Sequence, residues 1–142
     1  MGKLYVFECP KCAYRAKVSG GEESGLTFSS RTITCRDCKS LYEVVTRIRI
    51  PLSRKQKGVR LLFSREPGKP SQLRWLPENP PSFDAALNRL TSFTISNSRW
   101  INLRVRCPVS RFHRVDLWNA PSKCPRCGCY LESGATPYRV WD

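Results

Sequence analysis

Eight cysteines and a single histidine are the residues of this 142-residue chain best suited to chemistry. Six of the cysteines form three Cys-x-x-Cys pairs, at positions 9–12, 35–38 and 124–127. A two-residue spacer lets one tight turn direct both sulfurs at a single point, and four such thiolates close a tetrahedron around a zinc ion. This spacing predicts that the chain binds metal.

The first predicted site combines the two N-terminal pairs, Cys9 and Cys12 with Cys35 and Cys38, which are separated by 22 residues. Metal binding to a site of this kind contributes roughly 10–16 kcal/mol of folding free energy. That is comparable to the whole stability of a small domain. We therefore expect the metal to decide how this part of the chain folds.

The second predicted site uses Cys124 and Cys127 together with Cys107 and His113. Cys129 is the alternative to His113, but a residue two positions past Cys127 tends to point away from the metal. With four protein ligands each site is closed, so no position is left for a reactive water. The expected cofactors are two Zn²⁺ ions with a structural role, and the chain is not expected to be an enzyme.

Two other uses of the cysteines stay open. Four disulfides would need a secreted protein, and the N-terminus has no apolar run long enough for a signal peptide. A rubredoxin-like iron site is possible wherever four thiolates meet, although an electron carrier has no obvious use for the basic middle of the chain. We expect a reducing, cytoplasmic location, with no membrane span and no small-molecule substrate.

The residues around the first two Cys-x-x-Cys pairs predict short strands at 4–7, 14–18, 26–34 and 41–50, with a hairpin tip at 19–25. The order of elements over residues 4–50 resembles the zinc ribbon fold group: a tight Cys-x-x-Cys turn, known as a zinc knuckle, then a strand, a second knuckle and a second strand. The resemblance implies a small antiparallel sheet with metal at one end. Each Cys-x-x-Cys pair with the turn between its two cysteines is here called a hook. Ala13 and Lys39 depart from the pattern, because a glycine often follows the hook in that group.

The overall expectation is a small, mainly β, metal-stapled protein with two zinc-ribbon-like lobes. Residues 1–50 form the N-terminal ribbon, and residues 99–142 form a second lobe whose alternating strand 101–106 leads into Cys107. Residues 51–98 form an irregular, proline-rich, basic connection. Its one short helix is predicted at 82–90, with Ser82 as the N-cap.

The formal net charge of +14 is concentrated in the middle of the chain. Residues 47–106 contain 13 Lys and Arg against 3 Asp and Glu, a net of +10. An excess of this size in one segment favours a polyanionic partner. No helix is long and basic enough for a DNA major groove, so RNA or a ribonucleoprotein is favoured over a specific DNA site.

Strand alternation places Arg47 with Arg49, and Arg104 with Arg106, on one face of their strands, which would give a stripe of guanidinium groups. The predicted nucleic-acid-binding residues are Arg47, Arg49, Arg54, Lys55, Lys57, Arg60, Arg104 and Arg106. Aromatic residues that could stack on unpaired bases are Trp75, Trp100, Phe112 and Trp118. The alternative function is a protein-interaction adaptor that docks on an acidic surface, and in either case the chain is expected to belong to a larger assembly.

Overall fold

A computed structural model describes residues 1–51, 82–84 and 98–141. This part of the chain is mainly β. The strands are β1 (Gly2–Glu8), β2 (Arg15–Val18), β3 (Glu22–Ser24), β4 (Phe28–Cys35), β5 (Ser40–Pro51), β6 (Ser98–Asn102), β7 (Val115–Leu117), β8 (Glu132–Ser133) and β9 (Arg139–Trp141). The predicted helix at 82–90 lies mostly outside the described residues, as do the predicted basic residues between 54 and 60.

Two antiparallel sheets contain all of these strands. In the first sheet β1 is central: it pairs with β2 on one side and with β8 and β9 from the C-terminal end of the chain. The second sheet has the order β3-β4-β5-β6, and β7 also pairs with β4. The N-terminal and C-terminal parts of the chain therefore contribute strands to both sheets.

The strands expected on either side of the first two hooks are present. The predicted hairpin tip at 19–25 differs, because Glu22–Ser24 forms β3 and pairs with Ser29–Arg31 of β4. The strand expected at 101–106 is shifted towards the N-terminus: β6 begins at Ser98, where it pairs with Pro51, and ends at Asn102. Arg104 and Arg106 consequently follow the strand instead of belonging to it.

Two buried clusters hold the sheets together. One cluster surrounds the first hook and includes Phe7, Tyr14 and Trp118. The rings of Phe7 and Trp118 make an edge contact, with their centres 5.1 Å apart. The other contains Phe28 and Trp141, whose rings stack at 4.0 Å. Burial of large aromatic groups on both sides of β1 thus fixes the C-terminal strands against the N-terminal ones.

The pairing of strands departs from the predicted division into an N-terminal ribbon at 1–50 and a separate lobe at 99–142. β8 and β9 complete the sheet of β1, while β6 and β7 extend the sheet of β4 and β5. The strands from 115 to 141 are too short to bury an apolar face by themselves. They are stabilised by the longer N-terminal strands, and the two halves of the sequence interleave.

Candidate metal centres

The three Cys-x-x-Cys pairs adopt one local turn. In each, the residue directly after the second cysteine has a positive φ: 54° at Ala13, 50° at Lys39 and 76° at Gly128. In the first turn the Cys9 amide donates to the Tyr14 carbonyl and the Ala13 amide donates to the Cys9 carbonyl. The third turn repeats these two bonds, with Cys124 in the place of Cys9.

The second turn is closed at the same position as the other two, because Cys35 pairs with Ser40, five residues later, at the start of the β4–β5 hairpin. The Cys38 amide also lies 3.4 Å from the Cys35 sulfur. These turns are the knuckles that the spacing predicted. Ala13 and Lys39 take the left-handed conformation that a glycine would adopt at lower cost.

The first candidate centre, site 1, consists of Cys9, Cys12, Cys124 and Cys127. The Cys9 and Cys127 sulfurs are 3.3 Å apart, and the Cys12 and Cys124 sulfurs are 3.7 Å apart. A zinc tetrahedron with metal–sulfur bonds of about 2.3 Å has edges of about 3.8 Å, whereas a disulfide needs about 2.05 Å. These separations fit four ligands around one ion, and all eight cysteines are free.

Contacts from both ends of the chain bring the first and third knuckles together. β8 pairs Glu132 with Glu8, immediately before Cys9. The Leu131 side chain is buried in the cluster around the first hook, and its amide donates to the Ser122 carbonyl. The third knuckle is thereby held directly over the first.

The second candidate centre, site 2, consists of Cys35, Cys38, Cys107 and His113. The Nδ1 atom of His113 lies 3.7, 3.2 and 3.6 Å from the sulfurs of Cys35, Cys38 and Cys107, respectively. Because Nδ1 is the ring atom that faces all three thiols, it is the histidine atom placed to act as a ligand. Three sulfurs and one imidazole nitrogen are a common structural zinc set.

Strand β7 explains how His113 reaches the second hook. Val115 pairs with Cys35, so the chain two residues earlier passes beside the Cys35 sulfur. Two further bonds fix this approach: the Arg36 amide donates to the Arg114 carbonyl, and the Arg114 amide donates to the Asp37 carboxylate.

The thiols of each centre strongly affect one another's protonation. Burial raises the pKa of Cys9, but hydrogen bonds from the Cys12 amide and the Cys127 thiol outweigh burial and bring that pKa to about 7. The Tyr14 amide favours the Cys12 thiolate, yet desolvation and the neighbouring thiols raise the pKa of Cys12 to about 12. One sulfur therefore ionises readily while its neighbour resists.

Site 2 shows the same contrast. Burial and two neighbouring thiols raise the pKa of Cys35 to about 11. Burial opposes ionisation of Cys107 as well, but hydrogen bonds from two amides of its own loop and from His113 lower its pKa to about 7. A divalent cation would let the sulfurs of Cys35, Cys38 and Cys107 all exist as thiolates. Beside this site, burial and a hydrogen bond to Cys38 raise the pKa of Tyr42 to about 12.

The structure groups the ligands differently from the sequence-based prediction. The eight predicted ligands are the eight residues in the two centres, but Cys9 and Cys12 meet the third knuckle instead of Cys35 and Cys38. Cys107 and His113 meet the second knuckle. The alternative ligand Cys129 belongs to neither centre; its carbonyl accepts the Cys124 amide within the knuckle turn.

The described basic residues fall into separate places. Arg47 and Arg49 lie side by side on β5, next to Trp100 of β6. Arg104 is exposed, whereas Arg106 is half-buried beside a cavity of about 910 Å³ that Arg111 also lines. Among the four aromatic candidates, Trp118 is only 3% exposed and belongs to the core, and Trp75 lies outside the described residues. Trp100 and Phe112 are exposed.

Comparison with known proteins gives no match to a family model, a curated protein or a solved structure. The resemblance to the zinc ribbon group therefore rests on the knuckle turns and the two ligand sets.

Residues 1–51, 82–84 and 98–141 include no helix that could span a lipid bilayer.

Proposed function

We propose that this protein is a non-catalytic, zinc-braced nucleic-acid-binding protein that takes RNA or a ribonucleoprotein as its partner. Two closed four-ligand centres made of cysteine sulfur and one histidine suit zinc in a structural role. The zinc ions would join the N- and C-terminal strands and hold a basic surface in place. Work within a larger assembly is part of this proposal.

One observation carries the nucleic-acid part of the proposal: the guanidinium groups of Arg47 and Arg49 converge on an exposed Trp100. Their Cζ atoms lie 5.5 and 5.8 Å from the centre of the indole ring. Within the part of the chain that the structure describes, no carboxylate pairs with either arginine, whereas Arg15 pairs with Glu8 and Arg36 with Asp116. Two neighbouring cations without an anion favour phosphate.

Substitution of these arginines tests the proposal. Arg47→Gln/Arg49→Gln and the matched pair Arg15→Gln/Arg36→Gln remove the same charge, but only the first pair removes the converging cations. We expect the first variant to bind a labelled RNA at least tenfold more weakly, with a log K against log[salt] slope reduced by up to about 2. Equal weakening by both variants would mean that net charge alone causes binding.

A second candidate function, a protein-interaction adaptor, is supported by the loop between Cys107 and His113. Val109 is 65% exposed and Phe112 is 80% exposed in this loop, both ends of which carry ligands of site 2. An apolar tip of this kind suits contact with a partner protein. Binding through Phe112 would persist at high salt, whereas binding through phosphates would weaken steeply.

The ligand sets also help to distinguish a structural zinc protein from an iron-containing electron carrier. Site 1 has the four thiolates of such a centre, but site 2 replaces one of them with His113. Purification of the full chain followed by metal analysis separates the two cases: the zinc proposal requires two equivalents of a colourless metal, and iron in site 1 would be visible by absorbance.

A further inference from the structure

Arg47, Arg49, Trp100 and Asn102 form one continuous patch on the second sheet, here called the arginine–tryptophan patch. Arg49 pairs with Trp100 and Arg47 pairs with Asn102 across the β5–β6 ladder. Directly paired residues share a face, and so do residues two apart in a strand. The four side chains therefore form a two-by-two block on a single face.

Trp100 contacts both arginines of the patch, and Ser29 adds a hydrogen bond to Arg47. The Arg47 Nη2 atom donates to the hydroxyl of Ser29, which is fully buried, at 3.3 Å. The Arg49 Nε atom is buried and has no hydrogen-bond partner among the described residues. Both guanidinium groups also lie within cation–π range of the same indole ring. The patch thus presents two oriented cations before any ligand binds.

Trp100 remains 42% exposed although two cations contact it. An exposed indole stacks well on a nucleobase, which contributes roughly five- to 150-fold in affinity per base. The bases of a duplex are already stacked on one another and do not offer a free face, whereas unpaired bases do. Asn102, exposed beside Trp100, adds an amide that can hydrogen-bond to a base edge.

We propose that the arginine–tryptophan patch is a site for single-stranded nucleic acid, in which one unpaired base stacks on Trp100 and the flanking phosphates bind Arg47 and Arg49. This inference rests on the proposed nucleic-acid function and specifies the form of the ligand. It makes Trp100 the residue that selects unpaired over paired strands. The arginines supply affinity for both forms.

Fluorescence anisotropy on the metal-loaded full chain tests the site with a labelled 12-nucleotide RNA, the same RNA annealed to its complement, and the DNA versions of both. We expect Trp100→Leu to weaken single-strand binding about five- to 150-fold and to leave duplex binding nearly unchanged. Trp100→Phe should retain most of the affinity. Tyr130→Leu, which removes another exposed aromatic group (63%), is the matched control.

The outcomes distinguish this inference from the proposed function. If Trp100→Leu weakens both forms equally, the tryptophan serves only to orient the arginines and the stacking site is refuted. Unchanged single-strand binding by Trp100→Leu, combined with loss in Arg47→Gln/Arg49→Gln, also refutes the stacking site but supports nucleic-acid binding. If the wild-type chain binds none of the four oligonucleotides, the proposed function itself fails. Equal RNA and DNA affinity would assign the site to single strands of either sugar.

Discussion

The sulfur of Cys9 lies 3.3 Å from the sulfur of Cys127, although 118 positions separate the two residues in the chain. Each candidate metal centre has this character, because each takes two ligands from the first 38 residues and two from residues 107–127. A metal ion in either centre therefore closes a long loop between the two ends of the chain. Removal of one ion is expected to loosen contacts in both halves of the sequence.

Double cysteine substitutions test which ligands share an ion. Cys9→Ser/Cys124→Ser damages only site 1, so we expect native mass spectrometry of the zinc-loaded chain to show one bound ion instead of two. Cys9→Ser/Cys35→Ser damages both sites and should leave none. The reverse pattern, one ion in the second variant and none in the first, would return the ligands to the grouping within each half of the chain.

Glycine at position 39 should stabilise the second knuckle. Lys39 has a φ of 50°, a conformation that costs a residue with a side chain about 1–2 kcal/mol. The greater freedom of glycine in the unfolded chain offsets about 0.4–1 kcal/mol of this gain. We expect Lys39→Gly to raise the free energy of unfolding by about 0.5–1 kcal/mol.

Urea denaturation of the metal-loaded protein measures this effect, with Lys39→Ala as the control that removes the same charge but keeps a Cβ atom. A gain of the same size in Lys39→Ala would assign the effect to charge and contradict the backbone explanation.

Gly2 should be sensitive to substitution because Trp141 occupies the space beside it. A Cβ atom at position 2 would lie 2.3 Å from the indole ring, which is itself stacked against Phe28. We expect Gly2→Ala to lower the free energy of unfolding by about 1–3 kcal/mol, as overpacking in a core does.

The matched control is Gly134→Ala, since a Cβ atom there would meet its nearest neighbours at 3.7 Å, an ordinary contact. Thermal unfolding monitored by circular dichroism should show a lower Tm only for Gly2→Ala. Equal melting temperatures for the two variants would show that the Trp141 packing contributes little to stability.

Glu43 is expected to make the stability of the protein depend on pH. Burial raises the pKa of this carboxyl above its ordinary value, although the Ser19 amide and the hydroxyls of Ser30, Thr32 and Ser19 donate hydrogen bonds to it. The folded state therefore binds the proton more tightly than the unfolded state. The contribution of protonated Glu43 to stability is present below the pKa of the unfolded state and is lost as the pH rises through the pKa of the folded state.

Glu43→Gln removes this titration while keeping the shape of the side chain. The unfolding free energy of the wild type minus that of the variant should decrease as the pH rises above about 4.5. Taking the difference cancels the protonation of the metal ligands, which both proteins share. A difference that is constant with pH would contradict the prediction.

Much of the local structure follows from residue types and spacing. The three Cys-x-x-Cys pairs predicted the knuckles, and alternation predicted the long strand β5 and the strands that flank the first hook. The eight predicted metal ligands are those that the structure gathers into the two centres. The knuckles and strands depend on residues that are close in the sequence, and the ligands are recognisable by residue type, so sequence patterns are sufficient to find them.

Which knuckles meet in one candidate centre was decided by the tertiary structure alone. The spacing of two cysteines determines the turn between them, but it carries no information about the second pair that completes the tetrahedron. That choice depends on long-range pairing, β8 beside β1 and β7 beside β4, and on burial of Trp118 against Phe7. The meeting of Trp100 with two arginines depends in the same way on the register between β5 and β6, which only the folded sheet sets.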